Sequence, residues 1–168
     1  SRGVHMRWCH NYGGHKIQVR DSPAHCDHMM SVFVELGAVP LTMFGWRACV
    51  DDVFGFLASL GYRHGSESIN RVDLCVDLPG VGMDAFKAAY ERRMFICQSR
   101  KHNPRYDGDH DAETIYHGKT NCLLRIYDKI GEMDLHREEV KRQVMTAYRL
   151  GPDCETATRV EFQLRREK

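Results

Sequence analysis

A short segment of this chain places a tyrosine between two cations on one side of a predicted strand. In that segment Arg125, Tyr127 and Lys129 alternate with Leu124 and Ile126. Such alternation is typical of a strand with one buried and one solvent-facing side. A nearby cation lowers the free-energy cost of phenolate character, and a phenolate can attack phosphorus. The pattern therefore predicts Tyr127 as the nucleophile of a phosphoryl-transfer site, with Arg125 and Lys129 stabilising the developing negative charge.

Two other predicted strands repeat the alternation. Their apolar positions, predicted to face inward, are Val72, Leu74 and Val76 in the first and Val160, Phe162 and Leu164 in the second. Their polar positions, predicted to face outward, are Arg71, Asp73, Cys75 and Asp77 in the first and Arg159, Glu161, Gln163 and Arg165 in the second. If these strands share a sheet, one face gathers a tyrosine, three carboxylates and several cations. That combination suits phosphodiester cleavage by a metal ion and a covalent tyrosine. The alternative interpretation is a set of cross-strand ion pairs without catalytic function.

The spacing of the carboxylates limits how a metal ion could be held. Asp73 and Asp77 are four residues apart, so their Cα atoms lie roughly 13 Å apart on a straight strand. Ligand oxygens lie about 2.1 Å from Mg²⁺, so one strand cannot easily bring both carboxylates to one ion. We therefore expect one of them to join Glu161 in binding Mg²⁺ or Mn²⁺, and the spacing does not say which one.

Composition bounds the class of protein and its environment. The chain has 168 residues, 42% of them hydrophobic, and a net charge of +1, so nucleic-acid binding would need a local basic patch. Arg71, Arg159 and Arg165 are the candidates for contacting a DNA backbone. The seven cysteines are scattered without Cys-x-x-Cys spacing. We therefore expect a reducing, cytoplasmic location. No apolar run approaches the ~20 residues needed to span a bilayer, so we expect no membrane association.

The predicted elements mix strands and helices. They are strands at Ser31–Leu36, Ile69–Leu78 and Thr158–Arg165, helices at about Trp46–Leu60, Met83–Arg93 and Asp134–Leu150, and a strand pair Glu113–His117 and Cys122–Lys129. The hairpin indicates antiparallel pairing, so we predict an α+β fold with a largely antiparallel central sheet and helices packed on one face. We expect residues 1–30 to be an extension or hairpin, and residues 31–168 to be the catalytic domain of a longer protein.

The N-terminal region is rich in potential zinc ligands: Cys9, His10, His15, His25, Cys26 and His28. Imidazole and thiolate groups suit zinc, but the spacing matches no standard zinc module. A polar loop or hairpin is the favoured interpretation.

Four short motifs occur in an order and spacing that resemble the Rep_trans type of rolling-circle replication initiation factors of plasmids and phages. The motifs are Arg71-Val-Asp-Leu-Cys-Val-Asp77, Glu113-Thr-Ile-Tyr-His-Gly118, Leu124-Arg-Ile-Tyr-Asp-Lys129 and Arg159-Val-Glu-Phe-Gln-Leu-Arg165. Relaxases of some integrative elements share the pattern. The resemblance covers about residues 32–168 and implies a fold related to rolling-circle nickases. Those enzymes often use a His-hydrophobe-His metal motif, which this sequence lacks.

The resemblance implies site-specific DNA nicking and rejoining through a phosphotyrosine, with Tyr127 as the nucleophile. It makes Asp73, Asp77 and Glu161 the metal-site candidates. It implies a replication origin or nick site as the partner, single-stranded or as a hairpin, together with a host helicase and a homodimer. The alternatives are a conjugative relaxase, a catalytically inactive DNA-binding domain, and a metal-dependent nuclease without a covalent step. Tyr116 is the rival nucleophile, but it has no cation beside it on its own strand.

Overall fold

A computed structural model describes residues 8–20, 32–63, 65–94, 114–119 and 121–166. The chain folds as two compact units, Ser1–Gly65 and Ser66–Lys168. The predicted α+β class with antiparallel sheets is confirmed. Among the described residues, no helix combines the length and apolar character needed to cross a bilayer.

The first unit is a three-stranded antiparallel sheet followed by one long helix. Strands β1 (Trp8–Tyr12) and β2 (His15–Val19) form the hairpin expected near the N-terminus, and β2 also pairs with β3 (Val32–Glu35). The third strand thus belongs with the N-terminal hairpin, whereas the sequence analysis placed it in the predicted catalytic domain. His25, Cys26 and His28 of the zinc hypothesis lie outside the described residues.

Helix α1 (Ala38–Ser59) covers the first sheet. Its Val53 and Leu57 pack against Ile17 of β2, and this cluster is the core of the unit. The helix starts earlier than the predicted Trp46 because two helical segments meet at Gly45, where the backbone leaves helical geometry with φ of 79°. Only glycine adopts such a φ at little cost, so the glycine at position 45 allows the break in the helix.

His15 links the hairpin to the start of this helix. Its side chain is buried, and its Nδ1 accepts a hydrogen bond from the backbone N–H of Gly37 at 3.1 Å. Gly37 lies so close to the carbonyl oxygen of Gly14 that any side chain there would collide with it. The contact therefore requires a neutral imidazole at position 15 and a glycine at position 37.

The second unit is built on a four-stranded antiparallel sheet with the order β4-β7-β6-β5. Its elements are β4 (Arg71–Pro79), α2 (Met83–Glu91), β5 (Thr114–Lys119), β6 (Cys122–Asp128), α3 (Lys129–Leu135), α4 (Glu139–Met145), a π-helical segment (Thr146–Leu150) and β7 (Ala157–Arg165). The predicted strand Ile69–Leu78, the hairpin and the last strand therefore form one sheet, as the sequence analysis required.

Helices lie on both faces of this sheet, where helices on one face were expected. On the apolar face, Met83 and Phe86 of α2 pack over Ile115 and Ile126. On the polar face, α3, α4 and the π-helical segment form a second core around Met133. Part of the polar face is therefore covered by protein, which the alternating pattern alone could not reveal.

The part of the apolar face nearest the edge strand β4 is open. Val72, Leu74 and Val76, predicted to face the interior, are 39%, 57% and 50% exposed. The prediction that this side of β4 is buried was wrong. Alternation identifies the residues that share a face, but it does not identify which face another element covers.

The predicted helix Asp134–Leu150 is divided in the structure. Helix α3 begins at Lys129, five residues earlier than that range, because the Asp128 carboxylate accepts hydrogen bonds from the N–H groups of Ile130 and Gly131 and so caps the first turn. Arg137, with a positive φ of 52°, separates α3 from α4. Lys129, predicted at the end of a strand, is therefore the first residue of a helix.

Candidate functional site

The strand register brings the predicted site residues onto one face of the second sheet. In one row across the strands, Asp77 lies opposite Arg159, and Arg159 lies opposite Tyr127. In the next row, Glu161 of β7 lies opposite Arg125 of β6. The predicted gathering of a tyrosine, carboxylates and cations on one sheet face is confirmed.

The centre of this face is a hydrogen-bonded group of three residues. The Tyr127 hydroxyl donates to Oε2 of Glu161 at 3.2 Å. Arg125 Nη1 donates to the other carboxylate oxygen, Oε1, also at 3.2 Å. The Arg125 guanidinium lies 5.1 Å from the centroid of the Tyr127 ring. A hydroxyl, an adjacent base and a group that orients the base form the arrangement expected of an activated nucleophile.

Tyr127 is buried, and this contradicts the prediction of a solvent-facing tyrosine. Its side chain is only 5% exposed. Burial raises the pKa of the Tyr127 phenol, and this effect outweighs the opposing attraction of Arg159 and Arg125. The cations therefore do not produce a phenolate in this conformation, and removal of the proton needs a base. Glu161 is the carboxylate in hydrogen-bond contact with the hydroxyl.

Lys129 is also buried, and a carboxylate of its own helix engages it. It is 1% exposed, forms an ion pair with Glu132, and its Nζ lies 5.7 Å from the centroid of the Tyr127 ring. Burial lowers the pKa of Lys129 to about 8. Lys141 binds the other side of Glu132 at 3.3 Å. In this conformation Lys129 supports the tyrosine ring from α3.

Asp77 is held by two arginines. Arg159 donates from Nε to Oδ1 at 2.6 Å and from Nη2 to Oδ2 at 2.9 Å, a bidentate pair. Arg149, from the π-helical segment, places its Nε 3.0 Å from Oδ2. Both Asp77 and Arg159 are buried, so Arg159 is engaged inside the protein, where the sequence predicted an exposed contact to DNA. Sequence reasoning missed Arg149, because no strand alternation marks a cation that a helix carries to the sheet.

The far end of the polar face is more exposed and more basic. Arg71 and Arg165 lie directly opposite each other on β4 and β7. Arg71 donates from Nε to Oδ1 of Asp73 at 2.7 Å, and Arg165 donates to the Gln163 side chain at 3.0 Å. Two guanidinium groups facing each other across a sheet favour a bound anion, since their mutual repulsion is relieved by it. Of the predicted DNA contacts, these two are the accessible ones.

The three candidate metal ligands lie on neighbouring strands, but arginines engage each of them. Glu161 is a diagonal neighbour of both Asp73 and Asp77 in the register. Each carboxylate is paired with a guanidinium, and the described residues contain no cluster of three His, Cys, Asp or Glu side chains able to hold an ion. In this conformation guanidinium groups therefore occupy the carboxylate oxygens that a divalent ion would need. Metal binding remains a prediction.

Tyr116 has a cationic neighbour that its own strand did not reveal. It lies on the edge strand β5, half-buried, directly opposite Arg125 and on the same face as Tyr127. The sequence argument against it, the lack of a flanking cation, therefore does not hold across strands. The Tyr127 hydroxyl, however, donates a hydrogen bond to Glu161. That hydrogen bond keeps Tyr127 as the first candidate.

Comparison with known proteins identifies no relative. No family model, no curated protein and no solved structure matches this chain.

Proposed function

We propose that this chain is a metal-dependent, site-specific DNA nickase and strand transferase that initiates rolling-circle replication through a phosphotyrosine at Tyr127. The observation that supports it most strongly is the hydrogen bond from the Tyr127 hydroxyl to Glu161, a base that Arg125 fixes in place. The four sequence motifs and their order add independent support. The proposal includes a cytoplasmic location and DNA, a host helicase and a second copy of the chain as partners.

The proposed chemistry is a transesterification. Glu161 accepts the phenolic proton while the Tyr127 oxygen attacks the scissile phosphorus, and the bond from phosphorus to the 3′ oxygen breaks. The products are a 5′-phosphotyrosine and a free 3′-OH, which takes up a proton and can prime synthesis. Attack of a 3′-OH on the phosphotyrosine reverses the step and rejoins the strand without an external energy source.

The neighbouring cations then have distinct functions. Arg125 and Arg159 stabilise negative charge on the tyrosine oxygen and on the phosphate, because Arg125 lies beside the Tyr127 ring on β6 and Arg159 lies opposite Tyr127 on β7. Arg71 and Arg165 hold the DNA backbone at the open end of the face. A Mg²⁺ or Mn²⁺ ion bound by Glu161 and one aspartate would supply Lewis-acid polarisation of the phosphate. Such binding requires an arginine to release its carboxylate.

The alternative functions differ in whether they need Tyr127 and its hydrogen-bonded base. A conjugative relaxase uses the same chemistry and fits the same geometry. An inactive DNA-binding domain would have no need for a buried base bonded to a tyrosine, and burying such polar groups costs stability. A nuclease without a covalent step would not need Tyr127. A covalent protein–DNA adduct is expected for a replication initiator or a relaxase, and it is not expected for an inactive DNA-binding domain or a nuclease without a covalent step.

The experiment is incubation of the protein with a random-sequence library of single-stranded oligonucleotides and Mn²⁺, followed by a denaturing gel. The proposal predicts a labelled adduct that survives denaturation. Tryptic cleavage after Lys119, Arg125 and Lys129 places Tyr116 and Tyr127 in different peptides, so mass spectrometry assigns the modified residue. Absence of any adduct, with cleavage or without it, contradicts the proposal.

A further inference from the structure

Lys129 is a buried cation that the proposed reaction does not yet use. It is 1% exposed, and its Nζ lies 5.7 Å from the centroid of the Tyr127 ring. It is also the first residue of α3, where the positive end of the helix dipole disfavours a cation. An ammonium group held in such a place needs an anion in contact with it.

Glu132 supplies that anion from the next turn of the same helix. One of its carboxylate oxygens forms an ion pair with Lys129. The other, Oε1, lies 3.3 Å from the Nζ of Lys141 on α4, and Lys141 also pairs with Glu138. The four side chains therefore form a row of alternating charge that ends at the tyrosine ring.

Two other cations act against the charge on Lys129. Burial lowers the pKa of Lys129 to about 8, and the charges of Arg159 on β7 and Lys141 on α4 act in the same direction. The charge and the hydrogen bond of Glu132 oppose this shift. Without Glu132 the pKa would be lower still, and Lys129 would lose its proton near neutral pH.

Asp128 and Tyr127, the titratable groups that precede Lys129 in the chain, have partners of their own. The Asp128 carboxylate accepts hydrogen bonds from two N–H groups in the first turn of α3. The Tyr127 phenol donates its proton in a hydrogen bond to Glu161. The charge on Lys129 therefore depends on Glu132.

We infer that Glu132 is a positioning residue that holds Lys129, as a cation, against the Tyr127 ring, and that this cation favours the attack of Tyr127 on phosphorus. The phenolic proton still passes to Glu161, and Lys129 keeps its own. As negative charge develops on the phenol and spreads into its ring, attraction to the neighbouring cation increases. The cation therefore stabilises the transition state more than the resting tyrosine. The second half of the inference rests on the proposed function, whereas the first half does not.

NMR of the full chain tests the first half without any nicking. The protein carries ¹³C-labelled lysine and tyrosine, and the Lys129 Cε signal is followed across the neutral and alkaline pH range. Its midpoint should lie near 8. In Glu132→Gln the midpoint should fall by roughly 1–3 pH units, because an opposite charge in contact is lost. Glu132→Asp, which keeps the charge, should restore much of it. Asp134→Asn is the matched control, since Asp134 lies on the same helix but pairs with Arg142.

A change at Lys141 should have the opposite effect. Lys141→Gln removes a repelling charge and leaves Glu132 to Lys129 alone, so the midpoint should rise. This variant keeps the buried ion pair and decides the matter even if Glu132→Gln does not fold. The ring signals of Tyr127 should move at the Lys129 midpoint in every variant. A midpoint that neither substitution moves would overturn the first half, as would ring signals that ignore the titration of Lys129.

The pH dependence of adduct formation tests the second half. In the wild type the rate should fall as the pH rises through about 8, because Lys129 loses its charge. If the midpoint of Glu132→Gln is one unit lower, about a tenth of Lys129 is charged at pH 8 instead of half, and the rate should be roughly fivefold lower. In acidic buffer, where Lys129 is charged in both proteins, the variant should be no slower. A loss by the same factor at every pH would show a structural role and overturn the second half. Absence of an adduct in the wild type would refute the proposed function and the second half with it, while the NMR midpoints still decide the first.

Discussion

At the scale of the residue, burial and charge act on Tyr127 in opposite directions. Two arginines favour its phenolate, but removal of the ring from water disfavours it more, and the pKa of the phenol rises. Glu161 adds to the rise through its own negative charge while accepting the proton in a hydrogen bond. The proposed nucleophile therefore needs a base beside it, and the proposed activity should depend on that base more than on the cations.

The first prediction concerns Glu161→Gln, which keeps the shape of the side chain but cannot take a proton. Loss of a general base costs about 10²- to 10⁴-fold in rate, so adduct formation should fall by that factor. The pKa of Tyr127 should fall in the same variant, because one negative neighbour is gone. Adduct kinetics and an absorbance titration of phenolate measure the two effects. Glu139→Gln, on the exposed side of α4, is the control. A rate equal to that of the control would exclude Glu161 as the base.

At the scale of the element, local patterns identified most strands and helices, but not what covers them. The alternation around Asp73, Tyr127 and Glu161 correctly grouped residues that meet on one face of a sheet. It could not show that α3 and the π-helical segment cover that face, because this depends on contacts distant in sequence. The division of the predicted helix at Arg137 was also hidden, since no glycine or proline marks it.

The second prediction concerns the contact between His15 and Gly37, which joins β2 to the start of α1. Burial lowers the pKa of His15 from the ordinary value of 6.5, and the negative charge of Asp52 opposes this shift. In the folded state the imidazole therefore stays neutral at pH values somewhat below 6.5. The unfolded state then binds more protons, and stability is lost as the pH falls through 6.5 toward the folded-state pKa. Above that pH the contribution is fully present.

His15→Asn should flatten this loss, because an amide oxygen can accept the Gly37 N–H and does not titrate. Hydrogen exchange of the first unit, recorded across the acid range, measures the effect. His10→Asn, at an exposed position of β1, should retain the wild-type pH dependence. If both variants lose stability in acid as the wild type does, His15 is not the responsible group.

At the scale of the whole molecule, a net charge of +1 hides an uneven distribution. Arginines meet on the polar face of the second sheet and engage every carboxylate that the sequence offered to a metal. This face is therefore organised for an anion in the described conformation, and a divalent ion has to compete with guanidinium groups for its ligands. The proposed metal dependence is thus linked to phosphate binding.

The third prediction is that adduct formation requires a divalent ion that enters once DNA has drawn arginines away from the carboxylates. Chelation with EDTA should abolish the adduct, and Mn²⁺ should restore it. Calorimetry should show tighter Mn²⁺ binding in the presence of oligothymidylate than in its absence. Undiminished adduct formation in EDTA would contradict this prediction and would mean that the arginines alone stabilise the negative charge.

The fourth prediction concerns the open end of the polar face, where Arg71 and Arg165 lie opposite each other. Arg165→Ala should reduce the salt slope of oligothymidylate binding by about 0.7, because one phosphate contact is lost. Affinity should fall about equally for all sequences, since phosphate contacts position DNA without specifying it. Arg92→Ala, at the end of α2, is the control; an equal effect there would mean that the binding is diffuse.

The measurement that tests the central claim most directly is the covalent adduct in Tyr127→Phe beside the wild type. The account predicts a Mn²⁺-dependent adduct on the tryptic peptide of residues 126–129 in the wild type, and its loss in the variant. The lost hydrogen bond to Glu161 should cost about 1.5–3 kcal/mol of stability, so folding is checked by thermal denaturation. Tyr148→Phe, at an exposed tyrosine, should form the adduct normally. An undiminished adduct in Tyr127→Phe would contradict the account.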